Sequence, residues 1–385
     1  MVAPGSTPRP CWPLPCAEAD FQPSRAKSPL TAVCQGILHA NMSFFARFVN
    51  SLVNFEGSSR DNGLGWSTTA EEVVSGLSLS GKNFIVTGAN TGIGFETARV
   101  LAKAGASTVV LACRNLDMAK DAQRRLQSAL KLDGVSEEAV EVMQCDLASL
   151  QSVKEFATAF NSLSRPLHCI VCNAGVMACP YTETSDGFEM QFGTNHLGHF
   201  LLVNELLPSL KAANGARVVV VASAAHRMSP VMFDDLKGKD TWYKGAGGAW
   251  KAYGQSKTAN ILFAYELNRR MREAGVPITA NALHPGSIQT DLQRHIYSGA
   301  AGAVLKPVFG FLSAAVLKSI PQGAATSVFC AAREEAALEG LCGRYYSDCN
   351  VAKPMAHACD PDAARWLWEL SERLVRGGTA AAAAE

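Results

Sequence analysis

Apolar positions along this chain follow two alternating rhythms. Short β-prone runs occupy Asn83 to Val86, Ser107 to Ala112, Val142 to Cys145, Leu167 to Val171 and Ala216 to Ala222. Between such runs the apolar residues recur every three or four positions, as at Ile93, Thr97, Val100, Leu101 and Ala104. The same spacing at Ala259, Leu262, Phe263 and Leu267 predicts a helix over Trp250 to Arg270. From about Ser80 to about Val375 this alternation predicts an α/β fold, a doubly wound parallel sheet with helices on both faces.

The ends of the chain depart from that rhythm. Seven prolines in the first thirty residues, with little periodic pattern, predict disorder. Further on, Phe44, Phe45, Phe48, Leu52 and Phe55 line one face of a short amphipathic helix, with Arg47 and Asn50 opposite. That stripe is compatible with a membrane-surface helix, an organelle-targeting peptide or a helix packed on the domain. It lacks the twenty apolar residues of a spanning anchor. The expected organisation is an extension over 1–65, one domain over 66–376 and an alanine-rich, frayed tail over 377–385, without internal repeats.

Composition narrows the function classes. A chain of 385 residues with 48% hydrophobic content can bury a large core. A formal net charge of +1 without a basic stripe argues against nucleic acid as a partner. The twelve cysteines are scattered and many fall in predicted strands, which favours a reduced, intracellular protein over a secreted one. Cys169 and Cys172 look like a redox pair, but positions three apart on a strand point to opposite faces.

Candidate chemistry begins where the first strand should hand over to a helix, at Thr87-Gly88-Ala89-Asn90-Thr91-Gly92-Ile93-Gly94. Glycines permit the tight turn and let backbone N–H groups at a helix N-terminus meet phosphate. Three further motifs accompany it: Cys172-Asn173-Ala174-Gly175, Tyr253-Gly254-Gln255-Ser256-Lys257 with Ser223 upstream, and His284-Pro285-Gly286-Ser287-Ile288-Gln289-Thr290. In this order and spacing they resemble the short-chain dehydrogenase/reductase family, over about Trp66 to Val375. Ser67 to Val73, Thr194-Asn195-His196-Leu197-Gly198-His199-Phe200 and Gln322 to Thr326 narrow the resemblance further. They are similar to the branch of retinol dehydrogenases, WW-domain oxidoreductases and plastid-envelope relatives.

The resemblance implies a Rossmann fold, a substrate lid before the last strand and a dinucleotide held by Gly88, Asn90, Thr91, Gly92, Ile93 and Gly94. It adds Asn173, Ala174 and Gly175, and places Pro285, Gly286, Ile288 and Thr290 near the nicotinamide. Asp146 matches the position that contacts adenine, and Leu147 shapes that wall. The second strand ends in Cys113-Arg114 rather than in the acidic residue that would bind the ribose of NAD. A guanidinium there can pair with a 2′-phosphate, so the expected cofactor is NADP(H). Thr91 stands where many NADP-dependent members carry a basic residue.

Tyr253 is the candidate acid/base. A free phenol titrates near 10, so work at neutral pH asks for a cation beside its anion. Lys257 lies on the same helical face, and the resemblance gives it the nicotinamide ribose as well. It also implies that Ser223 holds the substrate oxygen and Asn195 anchors a proton-relaying water. His196 and His199 invite a zinc reading, but no partner of suitable spacing accompanies them and no metal is expected. Glu96 is expected to cap or solvate its helix. The polar, glycine-rich insert Asp234 to Gly248 is expected to loop over the site mouth.

Ala300 to Leu312 is apolar with one charge, and Pro307 and Gly310 interrupt any long helix. It reads as an apolar lid for a bulky lipophilic substrate, able to touch a bilayer surface. The expected activity interconverts a lipophilic aldehyde or ketone and its alcohol in a cytoplasmic or organellar setting. Peripheral membrane contact and a homodimer stay open as partnerships. Two alternatives also stand: ring reduction of the protochlorophyllide-reductase type, whose insertion before the Tyr is longer than this one, and a non-catalytic NADP(H)-sensing subunit of a larger assembly.

Overall fold

The computed structural model describes residues 62–288, 317–338 and 342–377. The Phe44 to Phe55 stripe, Thr290, the Ala300 to Leu312 segment and the C-terminal tail lie outside the described residues. In chain order the main elements are α1 (Ala70–Val74), β1 (Asn83–Thr87), α2 (Gly92–Lys103), β2 (Thr108–Cys113), α3 (Leu116–Leu132), β3 (Val140–Gln144), α4 (Leu150–Ser162) and β4 (Cys169–Cys172). There follow α5 (Gly198–Glu205), α6 (Leu207–Ala212), β5 (Ala216–Val221), α7 (Gly248–Glu273), β6 (Ile278–His284), α8 (Ile320–Ala332), β7 (Tyr345–Ser347), β8 (Asn350–Ala352) and α9 (Pro361–Gly377).

The strands form one eight-stranded sheet in the order β3-β2-β1-β4-β5-β6-β7-β8. All neighbours are parallel except β7 and β8, which make an antiparallel hairpin at the edge. Each interior strand is apolar on both faces because each face is roofed by helices. In β1, Ile85 faces the side packed by Phe156 and Phe160 of α4 and Leu262 and Phe263 of α7. Its neighbours Phe84 and Val86 face the side packed by Leu101 of α2, Leu126 of α3 and Val328 of α8. Cys172 belongs to the first core and Cys169 to the second, so the two thiols lie on opposite faces of β4.

The predicted strands are present with ends shifted by one or two residues, and the predicted helix over Trp250 to Arg270 runs from Gly248 to Glu273. Residues 62–65 hydrogen-bond to the sheet edge: Asn62 Nδ2 donates to Cys349 O at 2.9 Å and Asn350 Nδ2 to Leu64 O at 3.0 Å. The chain leaves the described residues at Ile288 and returns at Leu317, and Ile288 is bridge-paired with Lys318. The last sheet strand is the antiparallel β8, which the periodicity did not predict.

The order of the strands reverses direction between β1 and β4, and a crevice at that switch point is where an open α/β sheet binds its ligand. The C-terminal helix closes the opposite core. Trp368 of α9 stacks on Phe263 at 5.9 Å, meets Phe200 edge-on at 4.9 Å and carries Arg270 over its ring at 4.6 Å. Its indole Nε1 is buried with no hydrogen-bond partner among the described residues. Trp368→Ala is therefore expected to cost about 3–5 kcal/mol of stability. Trp368→Phe should cost much less, since it keeps a ring and deletes the orphaned donor. Urea unfolding separates the two, and equal losses would contradict this account of the packing.

Candidate active site

The glycine turn lies at the carboxyl end of β1. Gly88 adopts φ +65°, and a Cβ added there would sit 2.9 Å from the Cα of Ala174, so only glycine fits both the backbone and the space. A Cβ at Gly94 would run into Gly88 O and the Asn173 side chain. Asn173 Nδ2 donates to Thr87 O at 2.8 Å, which ties this turn to Asn173-Ala174-Gly175 after β4. The result is a cradle of backbone at the start of the twelve-residue helix α2, free of side chains that would fill it. Such a donor set fits the pyrophosphate of a dinucleotide.

Other predicted positions gather along the same edge. Arg114 follows β2 and is exposed. Asp146 follows β3, where its carboxylate accepts from Ala148 N at 3.0 Å, and Leu147 beside it is buried. Pro285, Gly286 and Ile288 follow β6. Gly286 is backed by the stem of Lys318, whose buried ammonium pairs with Asp348 at 2.5 Å. Sequence reasoning missed Arg125, which reaches from α3 to donate to Asn90 O at 2.9 Å and covers the Phe95 ring at 4.8 Å. Nothing marks it in sequence, since it carries no motif and sits a helix away from the turn it touches.

Tyr253 and Lys257 stand on α7, both buried. That helix can approach the Ser223 loop because Gly254 lacks a side chain: a Cβ there would lie 2.7 Å from Ala225 O. The Ser223 hydroxyl hydrogen-bonds the Tyr253 phenol and accepts from Ala225 N at 3.2 Å. Burial pushes the phenol up to about 12, with the Ser223 hydrogen bond pulling the other way. The expected lowering by Lys257 does not dominate, because that ammonium donates to Val221 O at 2.9 Å and lies 5.6 Å from the ring centroid. Burial also depresses Lys257, to about 8.

Asn195 lies in a π-type turn, Gly193–Leu197, leading into α5. Its Oδ1 accepts from Val176 N at 2.8 Å, and its Nδ2 donates to Val176 O at 3.0 Å and Ser256 Oγ at 2.9 Å. The side chain thus joins the Asn173-Ala174-Gly175 loop to the helix of Tyr253, and one Oδ1 lone pair remains for a water.

The wall around the phenol is apolar. Met177 and Ala225 are buried against Tyr253, with Ala178, Met228 and Trp250 partly buried beside them. Trp250 meets the Tyr253 ring edge-on at 6.1 Å. Gln191 holds this wall in place: its Oε1 accepts from Ala178 N at 2.8 Å, and its Nε2 donates to Ala249 O at 2.9 Å and to the Tyr243 hydroxyl at 3.2 Å. Tyr243, from the insert, donates to Cys179 O at 2.8 Å. The insert is therefore fastened to the substrate side of the site. None of Met177, Gln191, Met228, Tyr243 or Trp250 belongs to a motif.

The decoys resolve by their partners. His196 Nε2 meets Ser371 Oγ at 2.8 Å and His199 Nε2 meets Thr87 Oγ1 at 2.9 Å, so the two rings serve different elements. No group able to hold a metal occurs among the described residues. Glu96 is buried and bound to Arg99 at 2.7 Å rather than solvated, because α1 and α8 pack over that part of α2.

Comparison with known proteins agrees with this geometry. Residues 82–234 match the model of the short chain dehydrogenase family. The chain is 40% identical over 327 residues to the short-chain dehydrogenase TIC 32 B, chloroplastic, of Brassica napus, covering 83% of this chain and 96% of that one. This chain belongs to the short-chain dehydrogenase/reductase family. Human retinol dehydrogenase 14 is 40% identical over 307 residues, 77% of this chain and 87% of its own, which places this dehydrogenase in the retinol-dehydrogenase-like branch. A solved structure from Mycobacterium paratuberculosis superposes with a TM-score of 0.60 at 34% identity, over 81% of this chain and 98% of that one. Family membership supports a nicotinamide cofactor for this seat.

Buried histidines make this protein sensitive to acid. Burial pushes His196 and His284 down to about 3 and His199 and His226 down to about 4. Unfolded imidazoles titrate near 6.5. Between these values the unfolded chain binds more protons than the folded one, so stability present above about pH 6.5 is lost as pH falls toward 4. Each such imidazole contributes up to about 1.4 kcal/mol per pH unit in that window. Glu189, pushed up to about 7 by burial, acts in the opposite sense between about 4.5 and 7 and offsets one of the four. Thermal unfolding should show Tm falling steadily from pH 7 to pH 5, and a flat profile would contradict the neutral, buried state of these rings.

Proposed function

We propose that this chain is an NADP(H)-dependent oxidoreductase interconverting a lipophilic aldehyde or ketone and its alcohol. The observation that carries the reading is the phenol of Tyr253 set in an apolar wall of Met177, Ala178, Ala225, Met228 and Trp250. A carbonyl compound reaching Tyr253 would exchange water for hydrocarbon on that side, which favours substrates with bulky apolar groups.

In this reading Gly88, Asn90, Thr91, Gly92, Ile93 and Gly94 hold the pyrophosphate and Asp146 and Leu147 flank the adenine. Asn173, Ala174, Gly175, Pro285, Gly286 and Ile288 surround the nicotinamide side. When bound, the cofactor supplies or accepts the hydride at the reacting carbon. Ser223 orients the substrate oxygen, and Tyr253 gives it a proton in reduction or takes one in oxidation. A phenol held protonated by burial suits the reductive direction, in which an acid is required. Lys257 binds the ribose and restores the proton, with Asn195 positioning Val176 and Ser256 around it. Cys113, Cys145, Cys169, Cys172 and Cys330 are buried free thiols, which supports a reducing compartment. No helix among the described residues is long and apolar enough to cross a membrane.

For NADP(H) the support is Arg114 after β2, with the Arg125 guanidinium on Asn90 O adding positive charge beside the turn. Arg114→Ala should weaken NADPH roughly ten- to a hundred-fold and leave NADH nearly unchanged, the loss of one charge-assisted pair. Titration of both cofactors into both proteins measures this, and equal losses would sink the assignment.

The substrate class is tested with aldehydes of rising chain length. Each methylene should raise kcat/KM about three- to four-fold until the wall is covered, at up to ~0.8 kcal/mol each. Met228→Ser with Trp250→Ser should flatten that slope, and Tyr253→Phe should lower turnover at least ~100-fold at every length while NADPH still binds. A preference for short polar carbonyls would refute the apolar reading. Tight NADPH binding with no turnover on any carbonyl would favour the cofactor-sensing alternative.

A further inference from the structure

Beneath the cofactor cradle lies a closed chain of hydrogen bonds that runs through His199. Its Nδ1 is 2.9 Å from Asn195 O, and its Nε2 is 2.9 Å from Thr87 Oγ1. A carbonyl can only accept, so Nδ1 carries the hydrogen. In the neutral ring Nε2 is then an acceptor, and the Thr87 hydroxyl must donate to it. That leaves two lone pairs on Thr87 Oγ1, and two N–H groups take them: Asn173 N at 2.9 Å and Ala174 N at 3.0 Å. The hydroxyl is saturated. Val171 O, the other acceptor nearby at 3.3 Å, already receives Asn173 N–H at 2.9 Å.

We propose that His199, as its Nδ1–H tautomer, is a positioning residue that directs the Thr87 hydroxyl and thereby sets the Asn173-Ala174 backbone against Gly88 in the dinucleotide seat. Without an acceptor at Nε2 the hydroxyl turns toward Val171 O, and its lone pairs no longer face both N–H groups. Ala174 is the residue packed on Gly88, so its backbone position fixes the width of the cradle. An imidazolium cannot do the same work: it would present a third donor to an oxygen with two lone pairs. The titratable groups facing the ring are Lys257 from α7 and His196 from its own turn, and burial together with Lys257 keeps the ring neutral. His199 is buried and therefore does its work through Thr87, while His196 serves Ser371, so the two histidines of the motif have no common purpose.

The proposal rests on that seat taking a nicotinamide dinucleotide, and the test separates the two. Correlation spectra of the protein labelled with 15N-histidine should show two slowly exchanging rings with Nδ1 protonated and Nε2 bare, those of His199 and His226, and Thr87→Val should alter only the one that His199→Asn removes. Affinities for NADPH and NADH are then measured by direct titration for Thr87→Val, His199→Asn, the double variant and Thr87→Ser. An Asn at this spacing keeps the bond to the carbonyl four residues back, as Asn204 Nδ2 does to Phe200 O at 2.8 Å, but is too short to reach Thr87. Each of Thr87→Val and His199→Asn should weaken both dinucleotides on the order of 3- to 20-fold, the effect of one or two buried hydrogen bonds. The double variant should be no weaker than the worse single one, because both cut one link, and Thr87→Ser should bind as the unmodified protein does. Melting curves confirm that each variant is folded. Unchanged affinities in the single variants, losses that multiply in the double, or a His199 ring protonated at Nε2 would overturn the proposal. If the unmodified protein binds neither dinucleotide, the functional reading fails instead, and the spectra still decide the link.

Discussion

Close approach of two backbones at the carboxyl ends of β1 and β4 is the constraint on which the rest of the site depends. No side chain fits between Gly88 and Ala174, and the Thr87 hydroxyl and the Asn173 amide stitch the two turns together at 2.8–3.0 Å. From this joint the connections after β1 and β4 depart toward opposite edges of the sheet. The crevice between them opens toward the Gly92 end of α2 and toward Tyr253, which Asn195 and Ser256 link to the same loop. In the proposed reaction a looser joint would separate the seat for the dinucleotide from Tyr253, and hydride transfer tolerates little misplacement.

Burial, more than any single ion pair, sets the electrostatics around the reacting groups. Tyr253 is held protonated and Lys257 is brought to about 8, close to working pH, by the same removal of water. Polar groups that must be buried there are almost fully spent on one another: Ser256 between Asn195 and Tyr253 O, Gln191 among three partners, Lys257 on Val221 O. What faces the phenol from the substrate side is carbon and sulfur. For the proposed carbonyl substrate such an arrangement would offer one hydrogen-bonding place and otherwise reward apolar surface.

Distant chain segments stabilise the loops that carry Ser223 and Gly286. His226 donates from Nδ1 to Ser223 O at 2.7 Å and accepts from Met355 N at 3.2 Å, while His357 donates to His226 O at 2.8 Å. His284 accepts from Ala224 N at 3.1 Å. The β7–β8 hairpin turns through Asp348 and Cys349, both at positive φ. It is held by Lys318, by Thr326 through Cys349 N and by Asn62. Residues far apart in sequence thus act on the site by fixing backbone rather than by touching reactants.

Read alone, the sequence determined the fold class, because strands buried on both faces must be continuously apolar and their crossover helices must repeat near 3.6 residues. It also singled out Gly88, Asn173, Ser223, Tyr253, Lys257 and Gly286 as candidates, since turns, backbone approach and acid/base chemistry demand particular residue types at particular spacings. The tertiary structure alone decided which of two histidines three apart meets Thr87, that Glu96 is buried, that burial outweighs Lys257 at the phenol, and that Arg125, Gln191, Tyr243 and Trp250 face the site. Those outcomes depend on which surfaces of different elements come together, and a side chain's partner, solvation and pKa are properties of that contact. No local pattern encodes them, because a histidine, glutamine or tryptophan on a helix reads the same whether it lies against solvent, core or cleft.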